Sequence, residues 1–183
     1  DLYYQLPDRN LEIVCIHINK GILWLGTTTG GVYCLNIDKK ELTHPIQKGN
    51  ITSFYQDSEG ELWIGSWEEG LFRVKADGAI KNFKYNAKNP HSLSSNFVRA
   101  CCEDNLGNIW IGTFNGLNRY NKITGLFQNH TASDTQADGL THSSIWCIVK
   151  DNQGTLWLGT YFGGVNYFNP CLLYTSPSPR DRT

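Results

Sequence analysis

The chain has 183 residues, 40% hydrophobic and 18% charged, with a net charge of −1. That suits a globular domain with a substantial core and excludes the basic footprint of a nucleic-acid binder. No run of eighteen apolar residues occurs, so no membrane-spanning helix and no direct membrane contact are expected from these residues. Six Trp, nine Tyr and 18 Gly, with no Met, suit short strands joined by tight turns.

In chain order, Leu2 to Leu6 reads as a short strand, and from Ile13 onward one unit recurs four times. Each unit opens with an apolar strand, beginning at Ile13, Ile51, Val98 and Ile145. A turn follows: Asn19-Lys20-Gly21 in the first copy, then Asp57 to Gly60, Asp104 to Gly107 and Asp151 to Gly154. In these turns Asp accepts from the backbone, and Gly60, Gly107 and Gly154 supply positive φ. The second strand carries a pentapeptide: Leu23-Trp24-Leu25-Gly26-Thr27, Leu62-Trp63-Ile64-Gly65-Ser66, Ile109-Trp110-Ile111-Gly112-Thr113 and Leu156-Trp157-Leu158-Gly159-Thr160. The four Trp are 39, 47 and 47 residues apart. A glycine turn leads to a third strand, such as Gly116-Leu117-Asn118-Arg119-Tyr120, and a variable segment such as Ile80 to Tyr85 makes a fourth. Four-stranded units at this period predict an all-β fold, a β-propeller with about four blades.

The blade cores are expected at 13–36, 51–74, 98–121 and 145–168, with Leu2–Leu6 as the outer strand of a preceding blade. Small residues Cys15, Ser53, Ala100 and Cys147 suit the crowded innermost strand, and Ile16, Phe54, Cys101 and Ile148 suit the space between blades. Trp24, Trp63, Trp110 and Trp157 are expected to pack against the neighbouring blade as structural residues. The cysteines read as buried small hydrophobes outside any disulfide framework. The five His lack the close pairing of a zinc site, and no cofactor is expected. Either an arc cut from a larger ring or a closed four-bladed ring fits. The arc is favoured, because four blades lie at the bottom of the propeller range. Residues 171–183 break the repeat, resemble a translated sequencing-adapter tail and are expected to be disordered.

In a propeller the loop between second and third strands shares a face with the lead-in to the first strand, and ligands approach there. Four residues after each Trp stand Thr28, Trp67, Phe114 and Tyr161, flanked by Thr29, Glu68, Glu69, Asn115 and Phe162. The lead-in loops add Arg99, His142 and Trp146. Aromatic faces among amides, carboxylates and an Arg suit a sugar, whose C–H surfaces stack while its hydroxyls take donors and acceptors. The candidate binding set is therefore Trp67, Glu68, Arg99, Phe114, Asn115, His142, Trp146, Tyr161 and Phe162. A protein-interaction scaffold on the same face is the alternative. A propeller lyase or glycoside hydrolase is a weaker reading, with only Glu68, Glu69 and His142 available as acids or bases.

The stretch Ser92-Leu93-Ser94-Ser95-Asn96-Phe97-Val98-Arg99, running into Asp104 to Thr113 and Asn115 to Tyr120, resembles the two-component regulator propeller repeat. The resemblance extends over about residues 1 to 169. It implies propellers of about seven blades in the periplasmic ectodomain of an inner-membrane hybrid two-component receptor of the Bacteroidetes type. It further implies a small-molecule ligand, often an oligosaccharide, a histidine kinase elsewhere in the parent, a homodimer of that parent and no catalysis by this segment.

Overall fold

The computed structural model of the chain describes residues 4–132 and 140–170, and the backbone of 174–177. The first sheet holds β1 (Ile13–Asn19), β2 (Ile22–Thr27), β3 (Val32–Asn36) and β4 (Glu41–Ile46), and the second β5 (Ile51–Gln56), β6 (Leu62–Ser66), β7 (Leu71–Val74) and β8 (Ile80–Phe83). The third holds β9 (Val98–Glu103), β10 (Ile109–Thr113), β11 (Gly116–Asn121) and β12 (Leu126–His130). The fourth holds β13 (Ile145–Lys150), β14 (Leu156–Thr160), β15 (Val165–Asn169) and β16 (Tyr174–Pro177). Every sheet is an antiparallel meander in sequence order. First strands stand side by side, β1 with β5, β5 with β9 and β9 with β13, so the four sheets are blades of a propeller. No helix among the described residues is long and apolar enough to cross a membrane.

The structure assigns a task to each letter of the pentapeptide. The indole N–H of Trp63, Trp110 and Trp157 donates to Oδ2 of Asp57, Asp104 and Asp151 at 2.9, 2.7 and 2.9 Å. The other oxygen of each Asp accepts backbone N–H groups of its own turn, as Asp104 does from Leu106 and Asn108. One carboxylate thus closes the turn and fixes the ring. The glycine is needed because the first strand of its own sheet and the next blade together leave little room for a Cβ; at Gly26 and Gly65 the nearest atoms are Cys15 Sγ and Ser53 Oγ of the same blade, both at 2.6 Å. A Cβ on Gly26 would lie 2.7 Å from Ile51, one on Gly65 3.0 Å from Val98, and one on Gly112 2.7 Å from Ile145. The final Thr or Ser donates its hydroxyl to the carbonyl of the glycine that opens β3, β7, β11 or β15, at 2.7–3.0 Å.

Between blades the rings interlock. Trp63 meets Tyr120 of the third blade edge-on at 5.4 Å, and Trp110 meets Phe168 of the fourth at 4.6 Å. Both Trp are fully buried, each in an apolar cluster spanning two blades. The ends of the series are open. Ile16 and Ile18, on the first blade's outward face, are 65% and 61% exposed, and Trp157, on the fourth blade's far face, is 37% exposed. The four blades form an arc, with apolar surface bare at both ends.

Several sequence expectations need correction. Tyr4 to Leu6 form no strand; they line a recess with Leu25, Leu35 and Leu42 on the first blade's outward face, while residues 1–3 lie outside the described residues. In the expected disordered tail, Tyr174–Pro177 pair along β15. An edge strand offers free N–H and C=O groups to any extended segment, with little demand on its sequence; the rest of 171–183 lies outside the described residues. Cys34, Cys101 and Cys102 are buried, but Cys147 is exposed. Its counterpart Cys15 has Ile51 of the next blade close by across Gly26, whereas Cys147 has no following blade.

Candidate functional site

The site grows out of one irregularity that every blade repeats. In the pairing of first and second strands the register slips by a residue, skipping Val14, Thr52, Arg99 and Trp146 in turn. Each is the extra residue of a β-bulge, which releases a side chain from the ladder and re-aims it. Two of these side chains demonstrably reach the neighbouring first strand. The hydroxyl of Thr52 donates to the Val98 carbonyl at 2.7 Å, and the Arg99 guanidinium lies 3.8 Å from the Trp146 ring centroid.

Arg99 is covered on both sides. The Trp67 ring, from the β6–β7 loop of the second blade, stands 4.0 Å from the same guanidinium carbon. Two indole faces on one cation are worth about 0.5–2 kcal/mol each. Among the described residues its N–H groups have no hydrogen-bond or carboxylate partner, and burial lowers its pKa from the ordinary arginine value. Its two faces are occupied and its donor edges are free.

From Trp146 the aromatic surface continues along the fourth blade. Tyr161 lies 5.4 Å from Trp146, Phe162 lies 4.3 Å from Tyr161, and His142 meets Phe162 at 6.3 Å. Trp146, Tyr161 and Phe162 are all exposed. On the other side Trp67 packs edge-on against Phe97 at 5.1 Å, and Phe97 in turn against Phe114 at 6.1 Å. The result is a strip of rings across three blades with one cation inside it.

The expected residues divide accordingly. Trp67, Arg99, Trp146, Tyr161 and Phe162 come together, and Phe114 joins through Phe97. His142 spends Nδ1 as acceptor for the Ser144 N–H at 3.0 Å and so braces its own loop. Glu68 is exposed beside Trp67 at a shallow recess of about 350 Å³ with Thr28 and Thr29. Asn115 is exposed, and its backbone N–H donates to Thr113. Glu69 is tied to Lys84 at 2.7 Å and Lys48 at 3.3 Å, and the Lys84 hydrogen bond, with lesser help from Lys48, lowers its pKa. Sequence reasoning missed Phe97, the hinge of the strip. It sits in the quoted Ser92–Arg99 stretch, one residue before β9, and its aromatic character was the available signal. Among the described residues no group of His, Cys, Asp and Glu is arranged to hold a metal ion.

The lead-in loops are fastened by asparagines of the third strands. The Asn118 side chain accepts from the Ser94 N–H at 2.8 Å and donates to its hydroxyl at 2.9 Å, while Asn166 accepts from the Thr141 N–H at 3.1 Å. Leu93 and Leu140 plug the interior behind these loops. The stretches leading into Arg99 and into Trp146 are thus each fastened to the third strand of their own blade, which favours a pre-formed site.

The two-component regulator propeller family profile matches residues 45–68, 92–115 and 139–162, so the chain carries this repeat. No curated protein sequence matches it. Among solved structures it is similar to the extracellular domain of a hybrid two-component system from B. thetaiotaomicron, with 21% identity over 94% of this chain and a TM-score of 0.43. It is also similar to PorZ, a surface component of the type-IX secretion system of Porphyromonas gingivalis, with 13% identity over 93% of this chain and a TM-score of 0.69. A third similarity is to streptogramin B lyase, with 16% identity, 98% of this chain, 59% of that one and a TM-score of 0.61. The chain spans 28% of the length of each of the first two. The likenesses to PorZ and to streptogramin B lyase show the propeller fold.

Proposed function

We propose that this arc of two-component regulator propeller repeats is the ligand-sensing part of an extracytoplasmic receptor of the hybrid two-component type, and that it takes an oligosaccharide on the strip from Trp67 to Phe162. The periplasm is the compartment this reading implies. The observation that carries it is Arg99. A guanidinium with both faces stacked and both donor edges open can give paired hydrogen bonds to sugar hydroxyls or to a carboxylate. The exposed rings of Trp146, Tyr161 and Phe162 beside it offer flat surfaces to the C–H faces of the same saccharide. Binding is favoured over catalysis because Glu69, one of the two acids near this rim, is engaged by two lysines.

The test is calorimetric titration of the chain with a panel of neutral and acidic oligosaccharides. For any saccharide that binds, Trp146→Ala and Arg99→Gln should each weaken affinity at least about ten-fold, as truncation of an interfacial anchor does. A saccharide whose affinity is unchanged in both variants removes this site. A panel that gives no heat, with capture of a protein partner lost in Trp146→Ala, replaces the reading by a protein-interaction scaffold.

A further inference from the structure

The first blade differs from the others around its Trp. Its turn is shorter, because Asn19 pairs directly with Ile22 and leaves a two-residue hairpin of Lys20 and Gly21 at φ of 47° and 73°. That is a type I′ geometry, which needs no Asp. The indole N–H of Trp24 therefore lacks the carboxylate that its three counterparts have, and it has no hydrogen-bond partner among the described residues. Facing it on the second blade stands Val74, at the register position that Tyr120 and Phe168 hold in the next two blades. Opposite it on its own sheet stands Cys34, where Arg73 and Arg119 pair with Trp63 and Trp110.

These changes converge on one space. A cleft of about 440 Å³ lies between the first two blades, with Trp24, Cys34 and Val74 in its lining, within the range of small-molecule sites. Directly across the β1–β2 pair from Trp24 is His17, which also lines the cleft. Its Nε2 is buried and without a partner among the described residues, a position that ordinarily demands one. Lys20 and Lys75 stand at the same cleft together with Glu41 and Glu59, and Glu59 is paired with Lys122 at 3.2 Å.

We propose that this cleft binds a small aromatic carboxylate. In the second and third blades the chain itself supplies what the cleft lacks, a ring against the Trp and a carboxylate on its indole N–H. A ligand carrying both would lay its ring beside Trp24 in the place of Tyr120 or Phe168. Its carboxylate would accept from Trp24 Nε1 and His17 Nε2, with Lys20 and Lys75 offsetting its charge. This site is separate from the rim at Arg99, and neither reading depends on the other.

The experiment is ligand-observed NMR and calorimetry of the whole chain with 4-hydroxybenzoate, and with 4-hydroxybenzamide as the uncharged isostere. The acid should bind saturably, and the amide at least about ten-fold more weakly. Val74→Tyr, which places in the cleft the ring that the third blade already accommodates, should abolish binding and raise the melting temperature, while any saccharide affinity at the rim stays unchanged. His17→Phe, which keeps an aromatic ring but removes both ring nitrogens, should weaken the acid at least ten-fold. The proposal fails if the wild-type chain shows no saturable binding, if the amide binds as well as the acid, or if Val74→Tyr or His17→Phe leaves affinity intact.

Discussion

Gly112→Ala puts the blade-to-blade contact to a direct test. No left-handed φ is involved at this position, so alanine can adopt the backbone and the cost is steric. The added Cβ would lie 2.7 Å from Ile145 Cγ2, 3.2 Å from Ile145 Cβ and 3.4 Å from Ile148 Cδ1. Ile145 is fully buried and cannot retreat without moving β13. Overpacking of this kind costs about 1–3 kcal/mol, and replacing a strand glycine by alanine returns roughly 0.5–1 kcal/mol. A net loss of up to about 2.5 kcal/mol is expected. Gly159 is the matched control, since it holds the same place in the fourth blade with no blade beyond it. Among the described residues the one atom near its added Cβ is Cys147 Sγ at 2.5 Å, the end of an exposed side chain that can rotate away. Gly159→Ala should therefore be neutral or slightly stabilising. Urea denaturation followed by tryptophan fluorescence should place Gly112→Ala below Gly159→Ala by about 1 kcal/mol. Equal losses in the two variants would refute the argument, because the glycine would then serve its own blade.

Two further outcomes are expected. Lys122 lies between the second and third blades, its ammonium 3.1 Å from Asp57 and 3.2 Å from Glu103, both buried; Lys122→Met strands those carboxylates and should lower stability by about 3 kcal/mol. Urea midpoints at low and high salt should show the same deficit, since buried pairs are poorly screened. At Asp151 the Trp157 indole N–H, and then the backbone N–H groups of Thr155, Gln153 and Gly154, hold the carboxyl below the ordinary range. A depressed carboxyl stabilises the fold above its unfolded value of about 4 and loses that contribution as pH falls through the folded value. The Trp157 indole N–H resonance should titrate on that acid limb in the wild type and not in Asp151→Asn; an identical curve in both would dismiss the pairing.

The repeat was legible because packing between blades is the same problem solved several times. A Trp, a glycine under the next blade's aliphatic residue and a hydroxyl on a turn carbonyl must recur wherever one blade meets another, so Leu62 to Ser66 and Ile109 to Thr113 read alike. The turn Asp was legible as a turn former, but its hold on the indole was not, since a separation of six residues carries no signal until the hairpin closes. The rim residues were legible by type and loop position. Their convergence on Arg99 was not, because a bulge alters which way a side chain points without altering the residue count of the unit. Cys147 was misjudged because burial in a blade is conferred by its neighbour, and a repeat in sequence does not say which neighbours are present.

The same logic says where chemistry can reside in such a fold. A position that packs between blades is constrained on both sides, so Trp63 and Trp110, or Gly65 and Gly112, have no freedom to differ. The bulge residue is outside both constraints, because it leaves the ladder and projects along the inner edge, and there the four blades carry Val14, Thr52, Arg99 and Trp146. The β2–β3 and equivalent loops are similarly free, and there the blades carry Thr28, Trp67, Phe114 and Tyr161. Polar and aromatic functions gather where two free positions of adjacent blades meet, as at Trp67, Arg99 and Trp146. The cleft at Trp24 is the complementary case, an obligatory position from which the usual partners have been withdrawn together. The loss of an Asp alone would leave an indole N–H unsatisfied, and the loss of a ring alone would leave a void. The loss of both in one place leaves a space shaped for a molecule that supplies both.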